Sequence, residues 1–340
     1  MRPFQLHGIS KNLYFFLLFP TIIPEENKNM IISFGEILLD TFTDKNKKVQ
    51  SFVGGAPFNV AYQVHRMGND VLFVGNIGKD EAGKKIQKFF SDNGLSEEGL
   101  HIDKERKTTI SKVELKNGER TFTFERENAA DPYFDDGTLD FISEGDVIHV
   151  GSLMLSLKEG RDFASQIISF AKSQKKTLSF DVNYREDIFR DKKEAVEIYE
   201  KFYPQFDIVK FSKDELEFFT GEYDVETALR KLKKGPKLIL VTLGKEGSLA
   251  YCNDRITKEK SFRVNSIDST GAGDAFLGTF LSEVDSIGLR EITFLSSLLQ
   301  SSLKFSNIAG ALATTKKGAV PSIASYKEVN AFLEKQTFQR

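Results

Sequence analysis

"APFNVAYQVHRMGNDVLFVGNIGKDEAGKKIQKFFSDNG" (residues 56–94) reads as helix, strand, helix. Pro57 stands in the first turn of an apolar pattern of helical period, and Gly68 lies just past its end, the placement each residue type prefers. The β-rich run Val71–Val74 follows, then a second amphipathic segment that stops at Gly94. The same alternation extends along the chain. Strands are expected at Ile31–Phe34, Val147–Val150, Thr177–Phe180, Asp207–Lys210 and Lys237–Thr242, with helical stretches between them. That order predicts an α/β fold with a mainly parallel central sheet flanked by helices.

Two stretches depart from the rhythm. Residues 108–126, "TTISKVELKNGERTFTFER", predict a hairpin about an Asn117-Gly118 turn, with Phe122 and Phe124 alternating with polar neighbours. Residues 38–55 hold a second pair of short strands. Neither stretch carries a helix to cover it, so lid strands from about 38–54 and 108–126 are expected to form a small β-sheet inserted in the α/β body, with a ligand cleft between the two.

Composition limits what the chain can do. Its 340 residues are 40% hydrophobic with a formal charge of −2, so no global basic surface exists for nucleic acid. Cys252 is the single cysteine and the four histidines are scattered, which excludes an intrachain disulfide framework and a multi-thiolate zinc site and suits a reducing, cytoplasmic setting. "LYFFLLFPTII" (Leu13–Ile23) is too short to span a bilayer, where roughly 20 apolar residues are needed, and it lacks a small-residue cleavage site. Residues 1–29 are expected to be an N-terminal extension outside the fold, with a single α/β body over 30–335.

"DSTGAGDAFLGTF" (residues 268–280) places two glycines and an aspartate before an apolar helical run. A helix N-terminus presents unpaired N–H groups and a partial positive charge, so Gly271, Ala272 and Gly273 can cradle an anion. Asp274 has two readings. A first-turn carboxylate steadies the helix dipole by about 0.3–1 kcal/mol; beside a transferring phosphoryl group it can instead accept the proton of an attacking hydroxyl. No G-x-x-x-x-G-K-[ST] motif occurs, and Phe276 stands where a dinucleotide fingerprint needs its third glycine.

Together, "GGAPFNVAYQVHRMGNDVLFVGNIGKDEAG" (54–83) and "DSTGAGDAFLGTF" (268–280) resemble the N- and C-terminal signatures of the PfkB, or ribokinase-like, carbohydrate kinases. The resemblance implies a Rossmann-like α/β fold and ATP-dependent phosphorylation of a sugar hydroxyl. Asp274 matches the family's catalytic base and Gly271, Ala272 and Gly273 its anion hole. Asp40, Gly54, Gly55 and Asn59 match sugar-binding positions, and Arg126 and Arg185 match arginines that reach sugar or phosphate in some members. Thr242, Gly244, Gly247, Asn307 and Gly310 match ATP-contacting segments. Asp268, Thr270, Ala313, Gly318 and Ser322 match a monovalent-cation site, implying activation by K⁺. Mg²⁺ would travel on the ATP phosphates, with Glu215 holding a metal-bound water.

The chain departs from the family at Ser212, where an asparagine is common: serine is shorter and lacks the amide donors, and Ser212 and Glu215 have the spacing of a helix capping box. Ala56, where the ribokinase branch more often has lysine, and "GERTFTFER" resemble the fructokinase branch. Fructose is the expected substrate. A 2-keto-3-deoxygluconate kinase or a ribokinase-type kinase is the alternative, although Glu125 would oppose an acidic sugar if it faced the cleft. A catalytically silent binding module remains the reading from another class, and a homodimer is expected through the small sheet.

Overall fold

The computed structural model describes residues 29–43, 49–116, 119–189 and 191–338. The expectation about the N-terminal segment and the Asn117-Gly118 turn fall outside these residues. Thirteen strands are described: β1 (Met30–Phe34), β2 (Leu38–Thr43), β3 (Val49–Gly54), β4 (Asp70–Gly78), β5 (Leu100–Asp103), β6 (Ile110–Lys116), β7 (Glu119–Glu125), β8 (Val147–Val150), β9 (Thr177–Asp181), β10 (Ile208–Ser212), β11 (Leu238–Thr242), β12 (Ser248–Cys252) and β13 (Arg255–Glu259). The helices are α1 (Ala56–Met67), α2 (Glu81–Asn93), α3 (Lys158–Ser173), α4 (Lys192–Phe202), α5 (Lys213–Thr220), α6 (Val225–Lys231), α7 (Ala272–Ile287), α8 (Leu289–Phe294), α9 (Ser296–Ala313), α10 (Ala319–Ser322) and α11 (Tyr326–Phe338).

Nine strands form the central sheet in the order β13-β12-β11-β10-β9-β8-β1-β4-β5, and β3-β2-β6-β7 form a separate small sheet. From β5 to β11 all pairings are parallel, while β12 and β13 extend the sheet antiparallel. Successive strand residues face opposite sides, so the sheet has two cores. Ile31, Val147, Ile208 and Leu240 pack under α1, α7 and α9 with Val60, Phe276, Phe280 and Leu303. Ile32, Ile148, Leu178 and Val209 pack on the other face with Phe163 of α3 and Tyr199 and Phe202 of α4.

The expected strands are present with shifted boundaries: β11 begins at Leu238 rather than Lys237, and β4 extends over Asp70–Gly78 rather than Val71–Val74. β10 runs over Ile208–Ser212 rather than beginning at Asp207. Asp207 instead bridges the strand entrances: its Oδ2 accepts from Leu178 N at 2.9 Å and its carbonyl accepts from Lys237 N at 2.9 Å. Strands β12 and β13 escaped the sequence reading. Their turn residues Asn253 and Asp254 both have positive φ, 51° and 58°, and Asn and Asp tolerate this better than most residues do.

Chain order reverses beside β1: the chain passes outward through β4 and β5, then returns to β8 on the other side. A crevice forms at the carboxyl ends of strands around such a switch. Here the backbone is tightly drawn. A Cβ on Gly35 would lie 2.5 Å from Pro57 Cγ, and one on Gly151 would lie 2.7 Å from the same atom. The helix carrying "APFN" is thus seated directly on the ends of β1 and β8.

A second close approach joins α1 to α7. A Cβ on Gly278 would stand 2.6 Å from Gln63 Cβ and 2.7 Å from Val60 O. Gly278→Val should therefore force the helices apart and destabilise the protein by about 1–3 kcal/mol, read as a lower urea midpoint. An unchanged midpoint would contradict this tight crossing.

Candidate active site

Helix α7 opens at Gly271, whose φ of 79° and ψ of 0° place it in the left-handed region that favours glycine. A Cβ there would also lie 2.5 Å from Ala319 Cβ, so the turn is packed against α10. Ala272 N donates to Ser269 O at 3.2 Å, closing the turn from behind. Asp274, in the first helical turn, accepts a 2.8 Å hydrogen bond on Oδ2 from Asn59 Nδ2 of α1. Burial raises the Asp274 pKa to about 6, and the Asp181 carboxylate adds to this; Asn59, Lys210 and Arg185 pull the other way. The group is a carboxylate at neutral pH that still binds a proton readily.

The N-terminal residues gather on the same cleft. Asp40 and Gly54 lie on adjacent antiparallel strands, and a Cβ on Gly54 would lie 2.3 Å from Asp40 Oδ2. Gly55 has φ 111°, and a Cβ there would meet Glu36 O at 2.4 Å. Burial raises Asp40 to a pKa of about 6, opposed by Ser111 and Arg185. Arg185 is exposed and within electrostatic reach of both Asp40 and Asp274. Arg126 is committed differently: its Nε donates to Asp131 Oδ2 at 2.9 Å and its Nη1 to Ser156 Oγ at 2.6 Å. Glu125 is exposed and ion-paired with Lys112.

The sequence reading missed three buried charged groups here. Glu36 Oε1 accepts from Ala56 N at 3.1 Å, fastening the Gly54-Gly55 turn to the end of β1. Its Oε2 has no hydrogen-bond partner among the described residues, and burial raises its pKa to about 8. Lys210 of β10 stands in register with Asp181 of β9, and its Nζ donates to both Asp181 oxygens at 2.7 and 2.8 Å. Burial disfavours the ammonium, but Asp181, Glu215 and Asp274 more than offset it and hold its pKa above the usual lysine value. The available signal was a charge in each of two apolar strands, "IVKFS" and "TLSFD".

Ser212 and Glu215 form a reciprocal capping box on α5. Ser212 Oγ accepts from Glu215 N at 3.2 Å, and Glu215 Oε2 accepts from Ser212 N at 2.7 Å. Glu215 Oε1 also accepts from Tyr184 N at 2.8 Å. Its pKa is raised by burial, with Lys210 opposing.

Beside the glycine turn, Asp268 stitches two loops together. Its Oδ1 accepts from Thr270 N and Oγ1 at 3.0 and 2.7 Å, and its Oδ2 from Gly318 N at 2.9 Å. Ile267 N and Asp268 N both donate to Thr314 O, the residue after Ala313, and Ser322 Oγ donates to Ala319 O at 2.6 Å. These five expected cation-site residues therefore lie on two adjoining segments, 268–270 and 313–322. Thr242 ends β11, and Gly244 and Gly247, with φ of 58° and 114°, shape the turn into β12. Asn307 Nδ2 donates to Glu259 O at 3.1 Å, and a Cβ on Gly310 would lie 3.2 Å from Ala272 O. Both tie α9 to its neighbours. A separate cavity of about 480 Å³, bordered by Phe52, Tyr62, Arg66 and Lys316, shares no residue with the Asp274 cluster.

The pattern that defines the "pfkB family carbohydrate kinase" group matches residues 28–325. The chain is 35% identical over 325 residues to a probable fructokinase-2 of Arabidopsis thaliana, covering 92% of this chain and 98% of that one. A fructokinase of Xylella fastidiosa with bound ATP superposes with a TM-score of 0.85 at 28% identity, over 91% of this chain and 99% of that one. A Vibrio cholerae fructokinase holding fructose, ADP and a potassium ion gives a TM-score of 0.80 at 29% identity, over 90% and 99%. With its two glycine-bearing loops brought together at Asn59 and Asp274, the chain belongs to the pfkB family of carbohydrate kinases.

Proposed function

We propose that the protein transfers the γ-phosphoryl group of ATP to fructose, giving fructose 6-phosphate. The observation that carries this reading is Asp274, held by Asn59 at the mouth of a helix that opens with glycines. The sugar hydroxyl attacks the γ-phosphorus in line while its proton passes to Asp274, and the bond to the bridging oxygen of ADP breaks. The N–H groups at Gly271 and Gly273 stabilise the charge that gathers on the phosphoryl oxygens, while that of Ala272 is engaged by Ser269 O. Asp40, Gly54, Gly55 and Arg185 face the sugar, and the segments with Thr242, Gly244, Gly247, Asn307 and Gly310 border the nucleotide.

Mg²⁺ fits this donor set as an ion carried by the ATP phosphates, supplying charge neutralisation there. Each Glu215 oxygen takes one backbone N–H, and a carboxylate has further acceptor sites for a metal-bound water. For K⁺, Asp268, Thr270, Ala313, Gly318 and Ser322 offer carboxylate, hydroxyl and carbonyl oxygens suited to a hard cation. ATP as donor suits a cytoplasmic setting. Among the described residues no helix is long and apolar enough to cross a membrane.

The small sheet projects from β1 through β2 and acts as a lid that excludes water competing with the sugar for the phosphoryl group. Among the described residues its edge strand β7 pairs with β6 on one side only, which suits pairing with a second copy. Light scattering at micromolar concentration should give twice the chain mass; a monomer would sink the dimer.

Coupled ADP release, with potassium present, should favour fructose over ribose, 2-keto-3-deoxygluconate, adenosine and fructose 6-phosphate, and should fall when potassium is omitted. Preference for the acidic sugar would assign Arg185 to a carboxylate, while no turnover with any acceptor would move the protein to a silent binding module. Equal rates without potassium would remove the cation site.

The acid limb of kcat/KM should follow Asp274, falling about tenfold per pH unit below about 6 as the base is protonated. Asp274→Asn should lose about 10³-fold in kcat. A raised folded-state pKa means that ionisation costs stability as pH rises through about 6, so the same variant should melt at or above the wild-type temperature at pH 8. An active variant, or one markedly less stable at pH 8, would overturn this assignment.

A further inference from the structure

We propose that Asp131 sets the sugar site for an uncharged substrate, by cancelling the charge of Arg126 where the small sheet meets the cleft. The proposal rests on the fructose reading above and deepens it. It gives Asp131 a part in specificity to which neither of the two sequence signatures points.

Three observations converge. The first is place. Asp40 of β2 stands in register with Ser111 of β6, and the ladder continues back to Thr109, whose carbonyl accepts from Leu39 N at 3.2 Å. Facing residues, and residues two apart on a strand, share one side of a sheet, so Asp40, Ser111 and Thr109 form a row. Thr109 Oγ1 donates to Asp131 Oδ1 at 2.6 Å, which joins the Asp131–Arg126 pair to that row. Glu36, fastened to the Gly54-Gly55 turn through the Ala56 amide, lies within electrostatic reach of both partners.

The second is charge. The Arg126 side chain is 11% exposed and that of Asp131 2%, so solvent and salt screen the pair little. Asp131 Oδ2 accepts from Arg126 Nε at 2.9 Å and also from Nη2, while Ser156 Oγ accepts from Nη1. With a carboxylate along one edge, the guanidinium offers the cleft no net charge. A substrate carboxylate arriving there would meet Asp131 and Asp40 as well as Arg126, and two anions beside one cation repel it on balance.

The third is the capacity that remains. A guanidinium has five N–H donors and these bonds use three, which leaves one on Nη1 and one on Nη2. Such donors suit the neutral oxygens of a polyol. Asp131 thus turns an arginine, the side chain best matched to a carboxylate, into a donor for hydroxyl groups. Glu125, the residue before Arg126, is exposed and ion-paired with Lys112, so opposition to an acidic sugar falls to Asp131.

A pair that only ties the segment after β7 to the body would have the same bonds, so the test reads the sign of a change in specificity. Wild type, Asp131→Asn, Arg126→Gln and the double variant would be titrated calorimetrically with fructose and with 2-keto-3-deoxygluconate, and assayed by ADP release. Asp131→Asn keeps an acceptor for Arg126 and Thr109 while removing the charge, and should raise affinity for the acidic sugar relative to fructose about tenfold. Arg126→Gln leaves the Asp131 charge uncompensated and should lower that ratio about tenfold. The double variant, with no charge buried alone, should return the ratio to within about threefold of wild type, and it decides together with either single variant should the other fold poorly. The changes should appear in affinity and KM, with kcat for fructose nearly kept. Folded variants that lose both sugars alike, or single variants that move the ratio in the same direction, would overturn the proposal. So would wild type that binds the acidic sugar more tightly than fructose. Wild type that releases no ADP with any sugar would fail the kinase reading, while the affinity ratios would still decide the part played by Asp131.

Discussion

The 2.8 Å hydrogen bond from Asn59 to Asp274 joins residues 215 apart in sequence, and the rest of the site is arranged around it. It can form only because α1 and α7 cross closely, with Gly278 set against Val60 and Gln63. That crossing depends in turn on α1 being seated by Pro57 on Gly35 and Gly151 at the ends of β1 and β8. The Gly54-Gly55 turn and the Gly271 turn thus share one rigid reference. A displacement of α1 would move Asn59, Gly55 and Ala56 together relative to Asp274.

Electrostatics around that bond are held in opposition. Asp181, Glu215 and Asp274 are carboxylates within reach of one buried lysine, and Arg185 is the exposed cation of the group. Burial alone would protonate Asp274, whereas full solvation would leave it a weaker base. The local balance leaves it near 6, where a base is ionised at neutral pH and still attracts a proton. His149 lies under the same cluster, bonded to Ser179 and lowered by burial to a pKa of about 4, so it stays neutral and adds no charge.

Much of this was legible in the residues, for identifiable reasons. Pro57, Gly68 and Gly94 mark helix ends because their backbone requirements are local, and the alternation of Ile31 with Ile32 between two cores follows from pleating alone. The glycine turn at 271 was visible because positive φ leaves a compositional trace. The buried charges were harder to see. Lys210 and Asp181 each read as the polar end of an apolar strand, and their meeting requires the β9–β10 register, which no local pattern encodes. Glu36 was passed over beside Asp40 because its partner, the Ala56 amide, is a backbone group with no sequence signature.

The same reasoning explains why residues matched to ligand positions have structural bonds as well. Asn307 holds the end of β13, Asp268 holds Gly318, and Arg126 holds Asp131 and Ser156. A polar group buried at the edge of a cleft must be satisfied before substrate arrives, since an unpaired one costs roughly 1–3 kcal/mol. Preorganisation therefore gives such residues protein partners first, and leaves the substrate to the acceptor or donor sites that remain. On this argument an unfilled hydrogen-bonding capacity on a fixed group is more telling than a free side chain. Glu36 meets that description, with Oε1 fixed by the Ala56 amide and Oε2 without a hydrogen-bond partner among the described residues.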